Sequence, residues 1–338
     1  GEPDAKGYTK AEGIAATAKD GYAFDKWVWE DNSVDVVTPA GIEVTGDMTI
    51  TAQFAVDQNG DKIPDKYQII FTYISADEAT GTVTGETNEV HTFYDEEGNY
   101  ATPSEISPDR DVTVDAADGY AFDYWIVQGA EDTRDYTKTM DVLGVQKYAA
   151  DTTFVAYFAT DEKGGTDPEN PDNPGPDDVP DKYQIVFTYV SADPTTGTVT
   201  GTTRETYTFK DANGYIEPTG ISPNAIEGHN PVASPAENYA FHYWIVKDQK
   251  DEKDYTSGMR LLGEKVYTED TTFEVYFAED KINDTILDED PNVPADPNRP
   301  DGIPDIYQIV FTYVTEDATH GTVDGMVTEV RTFPRNGE

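Results

Sequence analysis

The sequence predicts a mostly β protein that is built as a tandem array of small modules. One stretch occurs three times, as YQIIFTYISADEATGTVTG from Tyr67, YQIVFTYVSADPTTGTVTG from Tyr183 and YQIVFTYVTEDATHGTVDG from Tyr307. The copies begin 116 residues apart (67 to 183) and 124 residues apart (183 to 307). A period of that length indicates domains in series rather than one large globule. Apolar and polar residues alternate with period two in the copies, which is typical of β-strands.

The same alternation predicts the strands of each unit. The opening strand of the second unit is apolar on both faces, which predicts a central strand. One face carries Tyr183, Ile185, Phe187 and Tyr189, and the other carries Gln184, Val186, Thr188 and Val190. The closing strand is expected to bury Phe273, Val275 and Phe277. We therefore expect a small, mostly antiparallel β domain of four or five strands.

The segments between these two strands carry turn signals. GTVTG at 197–201 is bracketed by glycines and predicts a turn, and RETYTF at 204–209 predicts a strand that forms a hairpin with the opener. The segment 217–235 contains four prolines. Because proline inside a helix costs about 3 kcal/mol, this segment predicts a connection with at most a short helix.

These patterns divide the chain into seven segments. We expect partial repeats at 1–56 and 307–338, full repeats at 67–160 and 183–280, and linkers at 57–66, 161–182 and 281–306. The linkers are acidic and rich in proline. The first segment carries only the second half of a unit and the last carries only the first half, so we expect the sequence to be part of a longer protein.

The composition excludes several classes of function. Asp and Glu number 67 against 23 Lys and Arg, a net charge of −44, so the chain would repel nucleic acid and anionic membranes. It contains no cysteine, which excludes disulfides and thiolate metal sites. No run of about 18 apolar residues predicts a membrane span.

An aromatic box recurs ahead of the closing strand, as GYAFDKWVW from Gly21, GYAFDYWIV from Gly119 and NYAFHYWIV from Asn238. Together with the strands around it, this box resembles the internalin B-type (Listeria–Bacteroides) repeat of bacterial surface proteins. The matching residues are Gly119, Tyr120, Phe122 and Trp125, and again Asn238, Tyr239, Phe241 and Trp244. The resemblance implies a β-grasp-like module repeated along an extracellular, cell-wall-attached adhesin. The insert at 247–265 departs from the family pattern.

The recurring aromatic residues are interpreted as core. Tyr22, Phe24 and Trp27 stand at fixed places beside the strand alternation, which favours core packing over the alternative of a sugar-binding platform. Trp29 replaces the valines found at this place in the other units, and it is therefore a candidate for an exposed contact.

The first linker predicts a calcium site. In DQNGDKIPD, oxygen-bearing residues occupy alternate positions of an EF-hand-type loop, which is the pattern that calcium requires. The predicted ligands are Asp57, Asn59, Asp61, the Ile63 carbonyl and Asp65. Two positions count against it, because Lys62 stands where glycine is usual and Gln68 where a bidentate glutamate is usual.

The later linkers lose this register and favour a different interpretation. Pro297 and Arg299 stand where ligands should be in the third linker. The 22 residues from 161 to 182 are rich in proline and in like charge, and this favours extended polyproline II spanning up to about 68 Å. The chain is therefore expected to be a monomeric, extended rod.

Catalytic motifs are absent from the sequence. The four histidines, His91, His229, His242 and His320, share no place in the repeat, whereas a zinc site needs three or four convergent ligands. No Ser–His–Asp set, phosphate loop or cofactor fingerprint occurs, so we do not expect an enzyme. Two functions stay open: the repeats form an adhesin's stalk, or they themselves bind a host glycoprotein such as mucin or an immunoglobulin.

Overall fold

The computed structural model describes residues 14–29, 34–36, 46–166, 174–281, 301–325 and 328–334. Strands account for 45% and helices for 6%, so the prediction of a mostly β protein is confirmed. The chain divides into two compact units, residues 1–158 and 159–338. No helix in the described ranges is long and apolar enough to cross a membrane.

The first unit contains three sheets in its described part. The strands are β1 (Tyr22–Trp29), β2 (Val34–Val36), β3 (Ile50–Val56), β4 (Gln68–Ser75), β5 (Gly81–Gly85), β6 (Asn88–Thr92), β7 (Val112–Ala116), β8 (Tyr120–Val127), β9 (Ala130–Asp135) and β10 (Thr152–Thr160). A 3₁₀ turn, Asp65–Tyr67, precedes β4. The sheet orders are β2-β1-β3, β6-β4-β10-β8-β9 and β5-β7.

The second unit repeats this plan. Its strands are β11 (Gly165–Thr166), β12 (Pro174–Gly175), β13 (Gln184–Ser191), β14 (Gly197–Gly201), β15 (Arg204–Thr208), β16 (Lys210–Asp211), β17 (Gly214–Tyr215), β18 (Pro231–Pro235), β19 (Tyr239–Val246), β20 (Thr271–Glu279), β21 (Gln308–Thr312) and β22 (Thr328–Thr332). One short helix, α1 (Arg260–Gly263), and the 3₁₀ turns Asp181–Tyr183, Pro223–Ala225 and Asp305–Tyr307 are also described. The sheet orders are β15-β13-β20-β19, β14-β18, β11-β12, β16-β17 and β21-β22.

The opening strand is central in both full repeats, as predicted. Strand β13 pairs antiparallel with β15, with Gln184 opposite Thr208, so the predicted opener and RETYTF strands are partners. On its other side β13 runs parallel to β20, with Phe187 opposite Thr271. The long crossover between β13 and β20 permits this parallel pair, and the sheet is therefore mixed rather than simply antiparallel.

The prediction of a turn at GTVTG is wrong. Residues 197–201 form strand β14, which pairs with β18, and 81–85 form β5, which pairs with β7. The glycines serve close packing, because a Cβ at Gly197 would lie 2.6 Å from the Phe277 ring and a Cβ at Gly81 2.6 Å from the Phe158 ring. The proline-rich connection therefore contributes a strand of its own, with Pro231 and Pro235 at the strand ends, where proline is tolerated.

Each full repeat encloses its own core, as the alternation predicted. The core of the first full repeat contains Ile69, Phe71, Tyr73, Phe122, Trp125, Met140, Leu143, Phe154 and Ala156. The core of the second contains Ile185, Phe187, Tyr189, Phe209, Ile221, Trp244, Val246, Met259, Leu262, Phe273, Val275 and Phe277. Trp125 and Trp244 are both 0% exposed, so the tryptophan of the aromatic box is a core residue in both full repeats.

The partial repeats bury fewer of these positions. Tyr22 is 52% exposed, which corrects its prediction as a core residue, and Phe24 and Trp27 are half-buried. Trp29 is also half-buried rather than exposed, and its Nε1 is enclosed without an acceptor. In the last copy Phe311 is exposed, because no described strand covers it as β20 covers its counterpart in the second full repeat. Residues 1–13 of the predicted segment 1–56 and residues 282–300 of the predicted linker 281–306 lie outside the described residues.

Candidate metal centre in the loops between repeats

The first loop is closed by the buried carboxylate of Asp57, which follows β3 directly. Asp57 Oδ1 accepts a hydrogen bond from the Gly60 N–H at 2.8 Å, and Oδ2 accepts one from the Lys62 N–H at 3.0 Å. Lys62 has a φ of 73°, the left-handed conformation for which glycine is usual. Lysine at this position therefore does not prevent the turn that a calcium loop needs.

The other predicted ligands lie on the same closed loop. Asp61 Oδ1 accepts a hydrogen bond from the Ile63 N–H at 2.8 Å, and Asn59 Oδ1 accepts one from the Asp61 N–H at 3.0 Å. The Asp65 carboxylate accepts the Gln58 N–H at 3.1 Å. The structure thus gathers the four predicted side-chain ligands and the Ile63 backbone into one turn.

Gln68 also faces this loop. Its Nε2 donates to Asp61 Oδ2 at 2.6 Å, and its Oε1 accepts a hydrogen bond from Asn59 Nδ2 at 3.2 Å. Sequence reasoning counted this glutamine against calcium, yet the structure places its amide against two of the predicted ligands. No lysine or arginine of the described ranges forms an ion pair with Asp57, Asp61 or Asp65. The loop is therefore rich in oxygen ligands and lacks a paired cation.

The described ends of the linker 161–182 are also joined to each other, which corrects the prediction of an extended spacer from 161 to 182. Asp161 Oδ1 accepts a hydrogen bond from the Asp177 N–H at 2.9 Å. The Asp181 carboxylate accepts one from the Glu162 N–H at 3.2 Å. The two ends of the linker therefore lie side by side, because hydrogen bonds between carboxylates and backbone N–H groups hold them together against like-charge repulsion.

The third linker closes in the same way at its described ends. Asp280 Oδ1 accepts the Asp301 N–H at 3.1 Å and its Oδ2 accepts the Gly302 N–H at 2.7 Å, while Asp305 accepts the Lys281 N–H at 2.8 Å. The sequence register is lost because inserted residues separate the first aspartate from the rest. A usable signal was the aspartate that follows each closing strand, in FAVD, FATD and FAED.

In the two later loops, ionisation of one buried carboxylate is unfavourable. Burial raises the pKa of Asp161, and the nearby carboxylate of Asp177 raises it too, although two backbone N–H donors oppose this. Burial likewise raises the pKa of Asp280, with Asp301 acting in the same direction. Ionised carboxylates that are buried close together are stabilised by a bound cation.

A side chain on a β-bulge of the first partial repeat contacts the start of the next repeat. The register of β1 and β3 shifts between Phe24 and Lys26, which makes Asp25 the extra residue and redirects its side chain. The Asp25 carboxylate contacts Lys66 Nζ at 2.5 Å and accepts a hydrogen bond from the Tyr67 hydroxyl at 2.6 Å. This joint is therefore ordered by side-chain contacts as well as by the loop.

The same contact takes a different chemical form in the second unit. His242 occupies the bulge of β19, and its Nε2 lies 2.9 Å from the Tyr307 hydroxyl. Ile306 replaces the lysine of the first joint. The acid and the base of the first joint are therefore replaced together, so that neither charge is left without its partner.

One histidine lies in a cluster that could hold a metal. Ligand atoms of Glu89, His91 and Asp109 lie within 4.8 Å of one another. The buried Glu89 carboxylate, however, already accepts hydrogen bonds from the Tyr73 hydroxyl and from the backbone N–H groups of Asp109 and Arg110. We interpret the cluster as a hydrogen-bond network that ties the loop before β7 to the core.

Comparison with known proteins finds a family match for the beginning of the chain. Residues 3–58 match the family model described as the divergent InlB B-repeat domain. No curated protein and no solved structure matches the chain. The matched residues contain the first aromatic box and strands β1 to β3, and the box and the closing strand have sequence counterparts in both full repeats. Residues 3–58 are thus similar to an internalin B-type repeat, a family of repeats typical of bacterial surface proteins.

Proposed function

We propose that the chain is the stalk of a cell-wall-attached adhesin, built from β-grasp-like modules on the bacterial surface. The carrying observation is that each full repeat has a complete core and the loops between repeats are closed by hydrogen bonds. Modules that fold on their own can be added in series without changing one another. The internalin B-type repeat at 3–58 supports placement on a cell surface.

Surface display tests the stalk. The chain is placed between a cell-wall anchor and a fluorescent binding domain, with or without residues 67–182, and the height of the fluorophore above the wall is measured. The deletion removes one repeat and one loop in register, so the height should fall while binding by the reporter stays unchanged. Equal heights would contradict the stalk.

We further propose that calcium stiffens the first loop. The ligands are Asp57, Asn59, Asp61, the Ile63 carbonyl and Asp65, and their support is the preformed loop with its unpaired acidic charge. With an extracellular-type Kd of ~0.2 mM and ~2 mM calcium, binding would stabilise the folded state by about 1.4 kcal/mol.

Titration calorimetry of the full chain tests this loop. The double variant Asp57→Ala/Asp61→Ala should bind one calcium ion fewer than the parent, since it removes two ligands. The exposed Asp47→Ala is the matched control and should leave the stoichiometry unchanged. An unchanged stoichiometry in the double variant would show that this loop does not bind calcium.

A second candidate function, direct binding of a host glycoprotein, is favoured by a tyrosine face on the second full repeat. The rings of Tyr243 and Tyr276 are stacked with centroids 4.9 Å apart, and Lys253 Nζ lies 4.2 Å from the Tyr243 ring centroid. A cavity of about 220 Å³ is lined by Tyr243, Ile245, Lys250, Lys253 and Tyr276. Aromatic faces beside cationic groups suit an acidic sugar.

The first full repeat carries a similar cluster. Tyr124 and Tyr157 are stacked at 5.0 Å, with the Arg134 guanidinium 4.4 Å from the Tyr124 ring centroid. A glycan array probed with the full chain tests binding by these faces. Tyr243→Ala/Tyr276→Ala should weaken binding of sialylated glycans, because only the cluster of the first full repeat remains, and Tyr207→Ala on another strand should leave binding unchanged. If the parent chain binds no glycan on the array, glycan binding is contradicted and the stalk remains as the proposed function.

A further inference from the structure

The second and third loops contain a buried oxygen that lacks a partner. Gln184 is 3% exposed and Gln308 is 7% exposed. The Oε1 atom of each is enclosed by protein and accepts no hydrogen bond. A buried acceptor without a donor is unfavourable, so a ligand that satisfies it is worth seeking.

These oxygens belong to amides that lie against the acidic loops. Gln184 Nε2 donates to Asp177 Oδ2 at 2.8 Å, and Gln308 Nε2 donates to Asp301 Oδ2 at 2.8 Å. Rotating either amide by half a turn would place Oε1 against the carboxylate, so the donor contact determines which atom is the oxygen. In the first loop the corresponding Gln68 Oε1 accepts the Asn59 amide, and no described residue takes that role in the later loops.

The loop backbone is also shared. Lys62, Asp178 and Gly302 directly follow Asp61, Asp177 and Asp301 in the three loops, with φ of 73°, 66° and 87°. Asp177 Oδ1 accepts the Val179 N–H at 3.1 Å and Asp301 Oδ1 accepts the Ile303 N–H at 2.8 Å, as Asp61 accepts Ile63 in the first loop. An insertion therefore changes the spacing of the aspartates in sequence but leaves this backbone turn unchanged.

We propose that the second and third loops each bind a calcium ion through three aspartates and the otherwise unpartnered glutamine oxygen. The ligands are Asp161, Asp177, Asp181 and Gln184 in the second loop, and Asp280, Asp301, Asp305 and Gln308 in the third. Three carboxylates favour a divalent cation, and an irregular cage of oxygen ligands suits calcium better than the strictly octahedral magnesium. This assignment does not depend on the first loop binding calcium.

Arg204 distinguishes the second loop from the third. Its guanidinium donates to the Gly165 carbonyl at 3.0 Å and interacts electrostatically with Asp177 and Asp181. Thr328 stands at the corresponding strand position in the last copy, and Asn88 in the first full repeat. The second loop should therefore bind calcium more weakly than the third.

Titration of the full chain with calcium chloride tests the proposal by counting sites. We expect three sites. Asp57→Ala/Asp61→Ala should leave two, and Asp177→Ala/Asp181→Ala and Asp301→Ala/Asp305→Ala should each remove one. If the parent has a single site and Asp57→Ala/Asp61→Ala removes it, only the first loop binds calcium and this proposal is overturned. If the parent has two sites and both persist in Asp57→Ala/Asp61→Ala, the proposal is supported and the first loop does not bind calcium.

Two further substitutions test the ligands without removing an aspartate. Arg204→Asn installs the residue of the first full repeat and should tighten binding at the second loop about fivefold, because a nearby positive charge is removed. Gln184→Glu should lower the melting temperature without calcium, since it adds a carboxylate beside Asp177, and should tighten calcium binding. Weaker calcium binding by Gln184→Glu would show that the glutamine acts only as a hydrogen-bond donor and would overturn its role as a ligand.

Discussion

Buried aspartates organise the irregular parts of each repeat. Asp135 and Asp254 are both 0% exposed. The carboxylate of Asp254 accepts four hydrogen bonds, from the Thr256 N–H and hydroxyl and from the N–H groups of Leu261 and Leu262. Asp135 makes the same four contacts in the first full repeat. One side chain thus holds the insert between the aromatic box and the closing strand.

Replacing Asp254 should destabilise the second full repeat. Asp254→Asn retains the shape of the side chain, but it places an NH₂ group against backbone donors that then lack an acceptor. We expect a loss on the order of 3 kcal/mol, measured by chemical denaturation followed through Trp244 fluorescence. The exposed Asp251→Asn is the control and should change stability little. An equal effect of the two substitutions would show that Asp254 does not hold the insert.

Glu89 should make the first full repeat sensitive to acid. Burial raises the pKa of Glu89, but hydrogen bonds from Tyr73, Asp109, His91 and Arg110 outweigh burial, so that the net pKa lies below its ordinary value of 4.5. A depressed folded-state pKa stabilises the fold above pH 4.5, and this stability is lost as the pH falls through the folded pKa. Unfolding free energies measured between pH 7 and 3 should therefore fall more steeply for the parent than for Glu89→Gln. Parallel curves would contradict this assignment.

At the scale of elements, the joints combine a closed loop with a bulged strand. The Asp57 loop brings β3 to the 3₁₀ turn before β4, and the bulge at Asp25 places a carboxylate against that turn. Both devices act within a few residues of the joint. The first partial repeat and the first full repeat should therefore tumble as one body.

Asp25→Ala should loosen this joint. The substitution removes the contact with Lys66 and the hydrogen bond from Tyr67, while the loop itself stays closed. Backbone ¹⁵N relaxation should then give a shorter correlation time for residues 14–29 than for residues 67–158, whereas the parent should give equal values. The exposed Asp20→Ala is the control. Unequal values in the parent would show that the bulge contact does not order the joint.

Sequence patterns predicted the strands better than the loops. Alternation identified β13 and β20 because a half-buried or central strand imposes period two on its residues. It could not reveal that these strands run parallel, which depends on the path of the crossover. The glycines of GTVTG indicated a turn, whereas Gly197 is required by its approach to Phe277.

The candidate metal loops were only partly predictable. The first loop is continuous in sequence, so its ligand spacing could be recognised. In the second, the ligands on the two sides of the insert meet through hydrogen bonds from the Asp177 N–H to Asp161 and from the Glu162 N–H to Asp181. Apart from the aspartates that follow the closing strands, alternation does not distinguish a buried aspartate such as Asp254 from a solvated one among the 67 acidic residues.

At the scale of the whole molecule, stability should be divided among the repeats. The two full repeats have separate cores, centred on Trp125 and Trp244. Each core joins an opening strand, a box strand and a closing strand that belong to the same repeat. A defect in one core should therefore stay in that repeat.

Trp125→Ala tests this division. Truncating a buried tryptophan costs about 3–5 kcal/mol, against about 5–15 kcal/mol for a whole domain. Calorimetry of the full chain should show the transition of the first full repeat lowered or lost and that of the second unchanged. Trp244→Ala should give the reverse pattern. If both transitions move together in either variant, the repeats are coupled and do not fold as separate modules.

The central claim is that closed loops, rather than extended spacers, join the repeats, and the distance across the linker 161–182 tests it most directly. The chain contains no cysteine, so spin labels can be attached at Glu162→Cys and Lys182→Cys alone and their separation measured by double electron–electron resonance. The closed loop predicts a narrow distribution at the short end of the measurable range, in low and in high salt. A distribution centred near the ~60 Å of an extended polyproline II segment, or one that shortens as salt is added, would contradict the account.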